Sequence, residues 1–270
     1  MSGISSAKIS HKIIQSIYTI LTWYNRNRGV GRAGVILNYF DMWKELYTLT
    51  VNISEKGWNA LAELSRQLNL RLTNKEEKRM FLFAIETYLH IFSRALALSK
   101  LGQLPSDIYG FINQTSSLRG VFAPSIFEWI YEAYSDPSLP SNIRSEFEEN
   151  VDIMLRILYN LNTVTLTTDV FRELYQNILP GEVRRSLGEF YTREDVADEV
   201  LDVAGLDNKT LQVLYDKWKQ SKETGSSAIP IILDPACGSG SFLLRVIDRA
   251  FQALNFKSDI VAFLEDILVG

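Results

Sequence analysis

Apolar residues recur at three- and four-residue steps through most of the first 222 positions. The clearest runs are YFDMWKELYTL (39–49), WNALAELSRQL (58–68), FLFAIETYLHIF (81–92), FEENVDIMLRILYNL (147–161) and DVFRELYQNIL (169–179). Such steps put apolar side chains on one face of a 3.6-residue helix, so the pattern predicts a run of core-facing helices. Gly, Pro, Asn and Ser cluster at NRNRGVGRAG (25–34), LGQLPSD (101–107), YSDPSLPSN (134–142) and LPGEVRRSLG (179–188), and these stretches divide the run into helices of ordinary length. Start signals agree. Ser54, Asn74 and Thr192 each precede a helical pattern and are expected N-caps, and Thr192 with Asp195 approximates a capping box.

The pattern changes near residue 222. SKETGSSA (221–228) is a polar loop of small residues, and IPIILD (229–234) is the first β-like run. A helix is expected from about Ser239 to Leu254, and DILVG (266–270) reads as the opening of a second strand. The predicted fold is mainly α: an N-terminal helical domain over 1–165, a helical connector over 166–228, then the opening β-α-β of an α/β sheet over 229–270. A lone β-α-β cannot bury both faces of its strands, so either the helices cover them or the chain is part of a longer protein.

Composition narrows the chemistry. Cys237 is the single cysteine and His11 and His90 are the only histidines, so neither a disulfide framework nor a Cys/His zinc set can be assembled, and a reducing, cytoplasmic setting is expected. The net charge of −4 argues against broad electrostatic gripping of duplex DNA, leaving local contacts or contacts made outside this sequence. The N-terminus lacks the uninterrupted apolar core of a signal peptide. The most apolar window, residues 80–101, carries Glu86, His90 and Arg94, costly groups in lipid, and predicts a buried helix and no membrane association.

The candidate site is DPACGSGSFL (234–243): an acid at the end of a predicted strand, then a glycine turn, then a helix. Ligands of open α/β sheets bind at the carboxyl ends of strands, and glycine lets a ligand approach the backbone closely. No lysine follows Gly240, so the P-loop pattern fails, and the third position of a dinucleotide fingerprint is Leu243 rather than glycine. Asp234 would repel a pyrophosphate but can pair with a cationic amino group. The stretch closely resembles the cofactor loop of S-adenosylmethionine-dependent DNA amino-methyltransferases, above all those acting on adenine N6. The resemblance implies a Rossmann-like domain, with Asp234 near the cofactor's amino group and Pro235, Ala236, Gly238, Gly240 and Ser241 in its loop, the glycines lining ribose and methionine. Cys237 reads as a small packing residue without a catalytic role.

Some 43 residues ahead of Asp234, LGEFYT (187–192) is similar to the segment that lies across the cofactor pocket in that family, with Arg193 where proline is usual. The resemblance implies that Phe190 and Tyr191 supply an aromatic wall, and that the Thr192 hydroxyl or nearby N–H groups meet the cofactor's carboxylate; a helix N-terminus is an anion site. With this segment ahead of the glycine loop and helices ahead of both, the layout resembles type I modification subunits, fused type IIG enzymes and phage-defence methylases of restriction-modification systems. Implied partners are double-stranded DNA, bound by the complete parent protein, and a specificity or restriction subunit. The family's catalytic polar-Pro-Pro-aromatic motif is absent, since the sequence has seven prolines and no Pro-Pro pair. No catalytic residue and no metal site is therefore expected here. Two alternatives stay open: a helical module that docks a partner, and a methyltransferase for RNA or protein.

Overall fold

The computed structural model describes residues 3–100, 102–115, 126–160, 176–186, 192–225, 231–235, 240–255 and 259–269. The protein is mainly helical, and its contacts divide it into two units, Met1–Gly188 and Glu189–Gly270. The boundaries expected at 165/166 and 228/229 lie outside the described residues.

The first unit contains α1 (Gly3–Arg26), α2 (Ala33–Thr50), α3 (Glu55–Gln67), α4 (Lys75–Lys100), α5 (Ile108–Thr115), a 3-10 turn (Ile126–Glu128), α6 (Trp129–Ser135), α7 (Ser141–Asn160) and α8 (Gly181–Ser186). The helix predicted around residues 80–101 is α4. It is buried on most sides, with Met80 through Ile85, Tyr88, Leu89, Ile91, Phe92, Ala95 and Leu98 in the core, as a helix apolar all round must be. Helices α1, α2, α3 and α7 pack against it. By length and composition alone it could cross a membrane, but Glu86, Thr87 and Arg94 take partners from within the unit, while the buried His90 Nε2 has no hydrogen-bond partner among the described residues. Trp43 Nε1 donates to Glu86 at 2.8 Å, Trp129 Nε1 to Thr87 at 3.0 Å, and the buried Arg94 pairs with Glu128 at 3.0 Å.

Two expected caps are present. Ser54 Oγ accepts from the Gly57 N–H at 3.1 Å, and Asn74 Oδ1 accepts from the Glu77 N–H at 2.8 Å. Each satisfies an N–H that the first helical turn leaves without an internal partner.

The second unit contains α9 (Glu194–Val203), α10 (Asn208–Thr224), β1 (Ile232–Leu233), α11 (Ser241–Ala253), α12 (Ile260–Ile267) and β2 (Leu268–Val269). Helices α9 and α10, expected from sequence to be a connector, share one core with α11 and α12: Leu201, Leu211, Tyr215 and Trp218 pack with Val246, Ala250, Phe263 and Ile267. The strands pair in parallel, Ile232 opposite Leu268 and Leu233 opposite Val269. The expected β-α-β is thus β-α-α-β over the described residues. Asp266 and Ile267 are helical rather than strand, because Ile260, Phe263, Leu264 and Ile267 follow a three- and four-residue step that buries them together, and this period outweighs the short apolar run that suggested a strand. Ile231, Leu233 and Val269 are exposed, although parallel-sheet residues are ordinarily covered on both faces.

Candidate functional site

The Asp234 N–H donates to the Val269 carbonyl at 2.9 Å, which carries the ladder one residue beyond β1 and places the half-buried acid at the carboxyl edge of the parallel pair. Pro235 follows in an exposed turn; with no N–H to give, proline ends the ladder. Ala236, Cys237, Gly238 and Ser239 lie outside the described residues. Gly240 has φ 81° and ψ 25°, the left-handed region that side chains disfavour. A Cβ there would meet no heavy atom within 4 Å, so glycine is needed for the backbone angle and not for lack of room. Gly240 is itself the N-cap of α11, which makes Ser241 the first helical residue.

In the second motif, Phe190 and Tyr191 lie outside the described residues, and Thr192 is half-buried. Thr192 is not the cap of α9. That position is Arg193, because the helix starts at Glu194, one residue later than a Thr192–Asp195 capping box requires. Arg193 has φ −65° and ψ 148°, the φ that a proline ring would impose. Its Nε donates to Asp195 Oδ1 at 3.0 Å, and this bond holds the Asp195 carboxyl below the usual carboxylate range. Both side chains are exposed, so the pair does little for stability.

Charged side chains fix how the helices behind the two motifs lie within this unit. Asp198 and Arg245 are the fifth residues of α9 and α11, and they pair at 2.7 Å. Asp202 and Arg249 are the ninth residues, and they also pair at 2.7 Å. Equal offsets at two successive turns require the helices to run parallel and in register, packed at the usual axial distance of about 8–10 Å. Their N-termini therefore share one end. Because α11 starts at the carboxyl edge of β1, Thr192 stands at the same edge as Asp234 and Gly240. Arg249 adds bonds to Asp198 Oδ1 at 3.0 Å and to the Leu206 carbonyl at 3.1 Å. Bonds from Arg245 and then Arg249 hold the Asp198 carboxyl below its ordinary range, against the effect of burial.

Asp198, Asp202, Arg245 and Arg249 are the site-organising residues that sequence reasoning missed. The signal was a matched four-residue spacing of acids on one helix and arginines on another. Among the described residues no cluster of His, Cys, Asp or Glu could hold a metal ion. No family model, curated protein or solved structure matches the chain.

Proposed function

We propose that the chain forms the helical and cofactor-loop portion of an S-adenosylmethionine-dependent adenine-N6 DNA methyltransferase of a restriction-modification or phage-defence system. The observation that carries this reading is the parallel registration of α9 and α11, which brings the end of LGEFYT and the edges of DPACGSG to one end of one unit although they lie far apart in sequence. The residues described there fit the cofactor: an acid at a strand's carboxyl edge for its ammonium, a left-handed glycine with open space on its Cβ side, and a helix N-terminus for its carboxylate. The backbone angle of Arg193 accommodates the family's usual proline, so the departure at that position leaves the chain path intact.

The Rossmann-like assignment belongs to this proposal, with the exposed Ile231, Leu233 and Val269 as the surface that further strands and helices of such a domain cover. Bound here, the cofactor supplies a methyl group on its sulfonium. Asp234 holds the ammonium, the Gly240 turn lets the ribose and methionine portion lie against the backbone, and the Thr192 end of α9 meets the carboxylate. The polar-Pro-Pro-aromatic loop that accepts the target amino group is not in this sequence, so the chain by itself transfers no methyl group.

The test is a titration of the isotopically labelled chain with S-adenosylmethionine, monitored by amide shifts. Weak, saturable shifts are expected at Thr192, Asp234, Gly240 and Ser241, and Asp234→Ala should weaken binding by about 1.5–3 kcal/mol, the range for a hydrogen bond to a charged group. Shifts that avoid all four positions overturn the cofactor assignment. Methyl transfer to RNA or protein, but not to adenine in DNA, by a polypeptide that adds the missing loop overturns the substrate class.

A further inference from the structure

The first unit has a cavity of about 300 Å³ that plays no part in the proposed methyltransferase chemistry. This is the lower end of the range for small-molecule pockets, about 300–1,000 Å³. Its wall is built from the last turns of α2, the 51–53 connection, the start of α3 and the start of α4. Three aromatic rings line it, Trp43, Tyr47 and Trp58, together with three cations, Lys44, Lys75 and Arg79, and no acid.

The parts are held to different degrees. Trp43 is buried, its indole N–H is bonded to Glu86, and its ring lies 4.6 Å from that of Tyr47 at an interplanar angle of 31°, which makes a fixed apolar wall. Trp58 is half-buried and carries the Lys75 ammonium over its face at 5.8 Å, so one face of the indole is open to a cation and to any flat group that replaces it. Lys44 is positioned by Asp41 at 2.7 Å and Glu76 at 3.0 Å, and Glu76 also reaches Arg79 at 3.5 Å. Those two acids leave one net positive charge in the group. Lys75 provides it: it is exposed and forms no ion pair among the described residues. It also opens α4, where the helix dipole favours an acid over a base, so its placement costs helix stability while adding to the positive potential of the cavity.

A planar ring surface beside cations, in a concave site, suits a ligand that is flat at one end and anionic at the other. Asn52 and Thr48, also in the lining, add an amide and a hydroxyl able to bond the edge of a heterocycle. We infer that this cavity binds a nucleoside phosphate, with the base stacked on Trp58 and the phosphate held by Lys75 and Arg79. The same chemistry is presented by a free nucleotide and by one nucleotide of a single strand, where bases stack on aromatic side chains in the same way.

The experiment is calorimetric titration of the whole chain with dAMP, ATP, a short oligo(dT) and inorganic phosphate. One saturable site is expected for the nucleotides, with phosphate at least about fivefold weaker, because base stacking on an aromatic contributes about 1–3 kcal/mol. Trp58→Ala should lose that advantage while Trp58→Phe, which keeps a stacking face, stays within a few-fold of the parent. Lys75→Gln, at an exposed position that does not threaten folding, should weaken all phosphate-bearing probes by several-fold. Tighter binding of oligo(dT) than of dAMP and ATP assigns the site to a single strand, and the reverse assigns it to a free nucleotide. The inference is overturned if no probe binds a chain shown to be folded by circular dichroism. It is also overturned if phosphate matches the nucleotides and Trp58→Ala changes nothing, which would leave a plain anion site. Both readouts are independent of S-adenosylmethionine and of Asp234, so this inference and the methyltransferase reading can fail separately.

Discussion

The Trp129 indole in the first unit and the Arg249 guanidinium in the second do comparable work by different means. Trp129 is fully buried, stacks 5.7 Å from Phe83, and spends its one N–H on Thr87. Phe83 in turn lies within 5.2–5.6 Å of Trp43, Phe127 and Phe40, so the first unit is centred on interlocked rings with their polar groups satisfied inside. Arg249 ties three points of α9 and its exit to α11 through polar bonds at a partly exposed seam. An aromatic centre favours burial and is indifferent to register by one turn; a pair of matched ion contacts is weak in burial but specific in register. The second unit, whose two motifs must lie side by side under the proposed function, uses the register-specific device.

The largest expected effects test that division directly. Trp129→Ala and, in the second unit, Phe263→Ala each empty a fully buried aromatic site and should cost about 3–5 kcal/mol in their own unit. Hydrogen exchange resolved by peptide is the measurement: protection should fall in the unit carrying the substitution. Uniform loss of protection across both units from either change would break the comparison.

Next come the glycines. Gly31 has φ 51°, and a Cβ there would overlap the Ser138 hydroxyl and the Asp136 carboxylate, which is fixed by bonds from Arg32 N–H and Tyr24 Oη at 2.8 and 3.0 Å. Strain and overlap together predict a loss of about 2–5 kcal/mol for Gly31→Ala. Gly240→Ala carries strain alone, about 1–2 kcal/mol. Urea unfolding that ranks Gly240→Ala above Gly31→Ala would show that the glycine loop is more crowded than its geometry implies.

A smaller effect is expected from Asp198→Ala, about 1.5–3 kcal/mol for lost charge-assisted bonds and discounted toward the lower figure by partial exposure. Its informative consequence is geometric. Without Asp198 the registration of α9 on α11 weakens, and the amide shifts of Thr192 and Gly240 on adding S-adenosylmethionine should become uncoupled: one loop responds and the other does not. Unchanged coupled shifts would remove this cluster as the organiser of the site.

The helical first unit was legible because periodicity is a local property: α4, the Ser54 cap and the Asn74 cap each depend on a few neighbouring residues. Asp234 at a strand end and Gly240 in a turn were legible for the same reason. The partnership of Asp198 with Arg245 was not, since nothing within a window around either residue names the other, and the four-residue spacing they share acquires meaning only once both helices are known to be neighbours. The misplaced cap at Thr192 has a related cause. Several residues before a helix can satisfy its first N–H groups, and tertiary packing of α9 and α11 decides which turn comes first. The strand expected at 266–270 is present only at Leu268 and Val269: a short apolar run is compatible with either period, and Phe263 and Leu264, just outside that run, carry the helix on through Ile267.

The pH dependence separates the two units by their titratable groups. Both histidines lie in the first unit. Burial, aided by the nearby Arg94 charge, pushes His90 down to about 3, and burial lowers His11 as well. The unfolded chain takes up these protons near its ordinary value of about 6.5, whereas the folded unit does not, so the first unit is at full stability above that pH and loses stability as pH falls toward the folded value. Each histidine contributes a slope of at most about 1.4 kcal/mol per pH unit. The second unit has no histidine, and its shifted carboxyls act in a lower pH window: Asp198 and Asp266, bonded chiefly by Arg245 and by Lys222, sit below the usual range. Their stabilisation is present above the unfolded carboxylate value of about 3.9 and is lost only as pH falls through their folded values. Between about pH 6.5 and 4.5, protection should therefore decline in peptides of the first unit while those of the second hold. His90→Leu should flatten the decline in the first unit and leave the second untouched; earlier acid loss in the second unit, or an unaltered slope in His90→Leu, would show that the histidines are not what sets the acid limit of the helical core.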